Sequence, residues 1–174
     1  MPELGSAHTT AIVLLAFVTA QRLAELVYAR RNEARLRARG AVEYAPEHYW
    51  LIVALHTAWI VGLWLVATDR PANRIWLLLF VVLQVLRLWV LATLKDRWTT
   101  RIIVLPEAPL VSSGPYRFIR HPNYAIVAAE IFVLPMVFGL YAYAVAFSLL
   151  NAVILGIRIR AEERALQLAA ASPL

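Results

Sequence analysis

Between residues 113 and 124 the chain reads Ser113-Gly114-Pro115-Tyr116-Arg117-Phe118-Ile119-Arg120-His121-Pro122-Asn123-Tyr124, its densest polar stretch. It carries one of only four histidines, with two arginines, two tyrosines and two prolines. Histidine can donate or accept near neutral pH. Pro122 biases the backbone of His121 to an extended conformation, so the imidazole is presented by a held chain. That suits a sugar hydroxyl, a proton transfer or a plain structural hydrogen bond. Gly114-Pro115-Tyr116 is a turn signal in its own right.

A second polar element lies near the C-terminus. Arg158 and Glu162 are four residues apart and share a face of a continuing helix, with Glu163 one step round. One reading is a solvated helix end with an intrahelical salt bridge. The other is one wall of a site for a charged small molecule. A carboxylate would be met by an arginine or backbone N–H groups, an ammonium by a glutamate, and a sulfonium by carboxylates and aromatic faces.

The composition narrows the chemistry. There is no cysteine, which excludes disulfides, thiolate metal sites and a cysteine nucleophile; no metal site is expected. The six glycines are scattered, so neither GxGxxG nor a P-loop can be written. Any nucleotide-like cofactor must be held without the Rossmann device. The net charge of +6 could suggest nucleic acid, but the basic residues form no stripe interleaved with aromatics, and no nucleic-acid partner is expected.

The elements that must position these groups are built for a bilayer. The chain is 61% hydrophobic, against roughly 45–50% in soluble domains, and its mean hydropathy is +0.66. Residues 10–29, 48–68 and 75–94 each form an apolar run of the length that crosses a hydrocarbon core. Residues 1–10, with Glu3 as the only charge, lack the basic n-region of a signal peptide, so the first run is expected to be retained. Residues 30–47 read as a basic connector and 69–74 as a tight turn. The segment 95–123 is the longest that does not span: 98–105 is apolar but too short, and Pro106 and Pro109 break any helix. A fourth apolar helix, 124–138, contains Glu130 and turns at Gly139 into 140–157, with which it forms a short helical hairpin; 158–168 continues the last helix.

The expected fold is therefore all-α: a polytopic integral membrane protein with about five transmembrane helices in a single domain over 1–174. Residues 1–94 hold three spans and the basic connector, and 95–174 hold the loop, hairpin and charged C-terminal helix. Thirteen of the 17 basic residues fall in 30–47, 95–123 and the C-terminal segment. The positive-inside rule then puts the N-terminus outside and both polar elements in the cytosol. Within the spans, Arg22 and Glu25 read as an interfacial pair. Arg87 needs a carboxylate or a wet cavity, with Glu25 and Glu130 as candidates. His56 reads as a core histidine bonded to a neighbouring helix.

Gly114-Pro115-Tyr116-Arg117…Arg120-His121-Pro122-Asn123-Tyr124, followed some forty residues later by Arg158…Glu162-Glu163, resembles the isoprenylcysteine carboxyl methyltransferase family. Phospholipid N-methyltransferases are similar in the same two places. The likeness covers about residues 95–168. Arg22-Leu23-Ala24-Glu25-Leu26 and Arg97-Trp98-Thr99-Thr100-Arg101 resemble the small bacterial members, some associated with methylating alkylpyrones or phenolic lipids. The resemblance implies S-adenosylmethionine as methyl donor, with S-adenosylhomocysteine as product. It places Tyr116, Arg120, His121, Pro122 and Tyr124 around the cofactor with Leu110, Val111, Gly114 and Pro115. Glu162 and Glu163 would hold its amino-acid end or ribose, and Arg158 would lie near the reacting centre. The implied reaction is in-line transfer of a methyl group to an oxygen of a lipophilic small molecule entering from the membrane. A carboxylate acceptor needs no base; for a phenol or enol, His121, Glu162 or Glu25 could serve.

Two rival readings remain. An NADPH-dependent membrane reductase of the sterol-reductase type would use Arg101, Arg117 and Arg120 for the 2′-phosphate. A non-catalytic membrane scaffold would use the polar loop as a mere connector.

Overall fold

The computed structural model describes residues 2–106 and 108–171, with side chains from His8 to Ala169. The Glu3 side chain lies outside the described residues. The chain runs α1 (Pro2–Ala38), β1 (Val42–Tyr44), α2 (Tyr49–Val66), α3 (Arg74–Leu94), β2 (Ile102–Val104), α4 (Pro122–Val137) and α5 (Tyr141–Ala171). Short 3₁₀ turns precede α2, follow α3 and open the polar loop at Gly114–Arg117. Four helices are long and apolar enough to cross a membrane, at His8–Ala38, Pro46–Val66, Arg74–Arg97 and Tyr141–Ala169; Pro122–Val137 is apolar but shorter. The chain is an integral membrane protein by this measure.

The first helix corrects the sequence expectation. Residues 30–38 are not connector but a continuation of α1, because arginine, alanine, leucine and glutamate favour helix whether or not lipid surrounds them. The helix ends at Ala38, and Gly40 just beyond it has a φ of +86° that suits glycine. There Gly40 N–H donates to Arg37 O and Ala41 N–H to Leu36 O, both at 3.0 Å, the bond pair of a Schellman cap. α4 stops in the same way, with Gly139 N–H on Met136 O and Leu140 N–H on Pro135 O. α3 begins where Asn73 Oδ1 accepts the N–H groups of Ile75 and Trp76. The Asn73 N–H itself donates to Val137 O at 2.7 Å, tying the α2–α3 turn to the end of α4.

A second departure is a two-stranded antiparallel ribbon, in which Val42 faces Val104 and Tyr44 faces Ile102. Ile102, Ile103 and Val104 have the β-branched side chains that suit a strand. The ribbon joins the two segments read from sequence as separate connectors. It packs against α5, fixing the loop end of the helical bundle.

The core between the helices is built from Leu15, Trp59, Leu63, Phe80, Ile131 and Leu134. α4 is buried along nearly its whole length and sits between α3 and α5. Outward faces carry leucine, valine and isoleucine, such as Leu65, Ile75, Leu78, Leu149 and Val153, as lipid requires.

Candidate functional site

One cavity of about 880 Å³ runs from the polar loop down between α1, α2 and α3. Its walls unite the loop, the end of α5, the β2 ribbon and charged residues within the spans.

At the loop end, Gly114 has φ +57°, and a Cβ there would strike the Thr93 side chain on α3. Glycine is thus required both by the backbone and by close approach. Pro115 is buried and opens the 3₁₀ turn, and Pro122 is buried at the first position of α4, where a missing N–H costs nothing. These three residues do not line the cavity but shape the chain around it. Leu110, Val111, Tyr116, Arg120, His121 and Tyr124 do line it, as do Arg158, Glu162, Glu163 and Glu25.

Loop and α5 meet through specific bonds. Tyr124 Oη donates to Glu162 at 2.5 Å, and the His121 ring stacks on Tyr124 with centroids 5.5 Å apart. His121 Nδ1 lies 3.9 Å from the same carboxylate. Arg158 does not pair with Glu162: its guanidinium lies 5.9 Å from the Tyr124 ring centroid, and Nη2 donates to Thr100 O at 2.8 Å. Arg158 is 5% exposed, yet its Nε has no partner. Asn123 Oδ1 is likewise buried without a donor, on a residue that lines the cavity. Burial, with the Glu162 carboxylate adding to it, pushes the Tyr116 hydroxyl up to about 12, so it stays a donor.

The ribbon edge is stiffened by charge. Arg101 donates to Glu43 at 2.6 Å, lies 3.7 Å from Glu33 and covers the Tyr49 ring. Desolvation raises the Glu43 carboxyl, but hydrogen bonds from Arg101 and Arg37 outweigh it and hold the group below its ordinary value.

Deeper in the cavity, Arg22 and Glu25 prove to be more than an interfacial pair. Arg87 Nε and Nη2 both reach Glu25 at 2.5 Å, a bidentate contact, while Nη1 donates to Glu130 at 2.9 Å. Arg22 bridges the two carboxylates, 2.5 Å from Glu130 and 3.4 Å from Glu25. Gln21 donates to Glu25 and Gln84 to Glu130. Two guanidiniums and two carboxylates from α1, α3 and α4 thus balance one another. The reason is desolvation: an isolated charge at this depth is far more costly than a compensated set.

Sequence reasoning missed several cavity residues. Thr100 fixes Arg158 through its carbonyl, and nothing in a side-chain pattern signals a backbone acceptor. Asn123 stood inside the quoted motif without a role. His56, expected to bond a neighbouring helix, instead bonds Ile52 O of its own helix at 2.8 Å and lines the cavity.

Comparison with known proteins places this arrangement. An uncharacterized protein of Bacillus subtilis, YpbQ, is 38% identical over 161 residues, covering 89% of this chain and 95% of its own. An uncharacterized protein of Haemophilus influenzae is 26% identical over 165 residues, 88% of this chain and 93% of that one. No solved structure gives a significant match. Residues 76–168 match the model of the Isoprenylcysteine carboxyl methyltransferase (ICMT) family. That match takes in more than half of the chain, from Arg87 in α3 through the loop to Glu163. With the loop and α5 meeting at one cavity, it makes the chain a member of the isoprenylcysteine carboxyl methyltransferase family, a family of membrane methyltransferases.

Proposed function

We propose that the protein is an S-adenosylmethionine-dependent O-methyltransferase acting on a lipophilic small molecule. The observation that carries this reading is the single cavity joining the polar loop and the α5 carboxylates to an apolar interior within the spans. Its volume of about 880 Å³ is at the upper end of ligand pockets, which run to roughly 1,000 Å³, and gives room for a nucleoside beside an acceptor headgroup.

The residues fit a zwitterionic sulfonium nucleoside. Arg158 Nε is a buried donor that wants an anionic oxygen, and Asn123 Oδ1 a buried acceptor that wants an N–H. Glu162 and Glu163 supply negative charge for an ammonium or ribose hydroxyls. Tyr116, Tyr124 and His121 supply ring faces, with Leu110, Val111 and Arg120 completing the wall. Bound there, S-adenosylmethionine supplies an electrophilic methyl group. The chain's own contribution is to orient donor and acceptor and to keep water out.

In this reading α4 acts as a short fifth span, the N-terminus is outside and the cavity opens to the cytosol of a bacterial inner membrane, as the distribution of basic residues supports. The acceptor enters sideways between α1 and α2, where Leu23 and Val53 line the cavity while exposed toward lipid. A reductase that binds NADPH fits less well, because Arg101 is committed to Glu43 and Glu33.

The test is calorimetric binding of S-adenosylhomocysteine to detergent-purified protein, with His121→Ala and Glu162→Ala variants and NADPH for comparison. Micromolar binding of the homocysteine nucleoside, lost in both folded variants, is the expected result. Binding of NADPH instead, or of neither ligand, defeats the reading.

A further inference from the structure

The polar loop has an outer side that faces away from the cavity and runs along α3. A Cβ on Gly114 would fall 2.5 Å from Thr93 Oγ1, and the Phe118 ring centroid stands 6.4 Å from that of Trp89. Thr93 and Trp89 are one helical turn apart, so the loop descends about 6 Å along α3 towards the middle of the span. The turn is held by the N–H groups of Phe118 and Ile119, which both donate to Pro115 O, at 3.1 and 3.4 Å.

The descending segment is apolar at its tip and basic at both shoulders. Phe118 is 74% exposed and Ile119 50%. They extend an apolar surface already present on α3, where Leu86, Val85, Val82 and Leu78 are exposed on the same face as Trp89. Aromatic rings at such a place belong to the membrane–water boundary. Arg117 and Arg120 bracket the two apolar residues, and both are exposed. Among the described residues neither has a hydrogen-bond or ion-pair partner. The contrast is with Arg37 and Arg101, which pair with Glu43, and Arg39, which pairs with Asp96. Arg120 shares the cavity wall with Glu162 and Glu163 but pairs with neither; Tyr124 and His121 are the groups that approach Glu162.

We propose that Arg117 and Arg120, with Phe118 and Trp89, form a binding site for the headgroup of an anionic phospholipid whose acyl chains lie along the exposed face of α3. A guanidinium matches a phosphodiester by paired N–H donors, and two unpaired ones favour a headgroup with net negative charge. A soluble phosphate would satisfy the arginines and leave the apolar tip bare, whereas a lipid covers both. Arg120 also lines the cavity, so a bound headgroup steadies the wall beside His121. That consequence rests on the methyltransferase reading; the site itself does not.

The experiment uses full-length protein in phosphatidylcholine vesicles containing a small share of lipid with brominated chains, which quench tryptophan at short range. The brominated lipid is either phosphatidylglycerol or phosphatidylcholine, and the Trp89 signal is taken by difference from Trp89→Phe. A juxtamembrane arginine favours an anionic lipid about fivefold, so brominated phosphatidylglycerol should quench Trp89 at about 25-fold lower mole fraction than brominated phosphatidylcholine. Arg117→Gln should cut that preference to about fivefold, and Arg117→Gln with Arg120→Gln should abolish it. Arg74→Gln, at the other end of α3, should leave it unchanged, and excess glycerol phosphate should not relieve the quenching. Equal quenching by both lipids, a preference that survives the double variant, or release by glycerol phosphate would each overturn the site. If the double variant fails to fold, the single variant still decides. The second readout is calorimetric binding of S-adenosylhomocysteine with and without phosphatidylglycerol. Ordering one long side chain in advance should tighten it by about two- to tenfold, and equal affinity would overturn the link to the cavity wall. Absence of binding in either lipid would sink the methyltransferase reading, while the quenching would still decide the lipid site.

Discussion

Replacing Glu130 with alanine leaves three donors facing an apolar gap. Gln84 loses its acceptor at 2.8 Å, Arg87 Nη1 loses its own at 2.9 Å and Arg22 Nη2 loses one at 2.5 Å. Glu130 is fully enclosed, so water cannot readily take its place. A lower bound counts three interhelical polar contacts at about 0.6 kcal/mol each, the average in a membrane interior, or roughly 2 kcal/mol. An upper bound treats the site as a buried ion pair broken on one side, about 3–5 kcal/mol. At about 2–4 °C per kcal/mol, the thermal midpoint of detergent-purified protein should fall by roughly 4–20 °C. Arg87→Met alone should do the same, because it strands two carboxylates. The double variant leaves Arg22 and Glu25 balanced, so its loss should be smaller than the sum of the single losses by about 0.5–3 kcal/mol. Strictly additive losses, or single variants within about 0.5 kcal/mol of wild type, would refute the reasoning. The charges would then be separate snorkelling residues and not one cluster.

Gly114→Ala places a non-glycine residue at φ +57° and drives its Cβ into Thr93; a cost of about 1–3 kcal/mol and weakened S-adenosylhomocysteine binding by calorimetry are expected, whereas an unchanged protein would show that the turn re-forms freely. Tyr124→Phe removes the hydroxyl that meets Glu162 while keeping the ring under His121. Loss of a hydrogen bond to a charged group, about 1.5–3 kcal/mol, should appear in thermal stability or in ligand affinity. Glu43 has a carboxyl held below its ordinary value of 4.5, so the stability it contributes is present above that value and is lost as pH falls through the lowered one. Thermal scans from pH 6 to pH 3 should show a shallower acid loss in Glu43→Gln than in wild type, and parallel curves would exclude Glu43 as a contributor.

Hydropathy located the helices within the spans well, because burial in lipid and burial in protein select the same side chains. Residues 48–68 and 75–94 correspond to Tyr49–Val66 and Arg74–Leu94, and 124–138 to Pro122–Val137. Hydropathy marks where lipid ends, however, and not where a helix ends. Residues 30–38 were therefore misread, although Gly40 held the stop signal. The ribbon was out of reach, since three-residue strands some sixty positions apart leave no local pattern. The need of Arg87 for a carboxylate was legible from desolvation alone; that both Glu25 and Glu130 answer it became visible only with α1, α3 and α4 in place. The loop and α5 were legible as chemistry, but the orphaned Arg158 Nε and the role of Thr100 arise from tertiary placement. His56 shows the same limit from the other side. In an apolar run it reads as core, and only the cavity turns its second nitrogen outward.

α4 explains why the buried charges and the polar loop belong to one device. Its first residue, Pro122, closes the loop directly after His121, and Glu130 lies two turns further on, about 12 Å along the axis. Glu130 does not line the cavity, whereas Arg22, Glu25 and Arg87 do. It therefore acts from behind the wall, supplying the countercharge that lets two guanidiniums stand in an apolar layer. Because α4 is buried along nearly its whole length, its depth is fixed near its middle by that charge cluster and at its C-terminal end by the Schellman turn at Gly139 and the bond from Asn73 to Val137. A shift of α4 along its axis would break the cluster and displace His121 and Tyr124 together. The imidazole that stands 3.9 Å from Glu162 and the buried carboxylate of Glu130 are thus carried by one rigid element, about two turns apart.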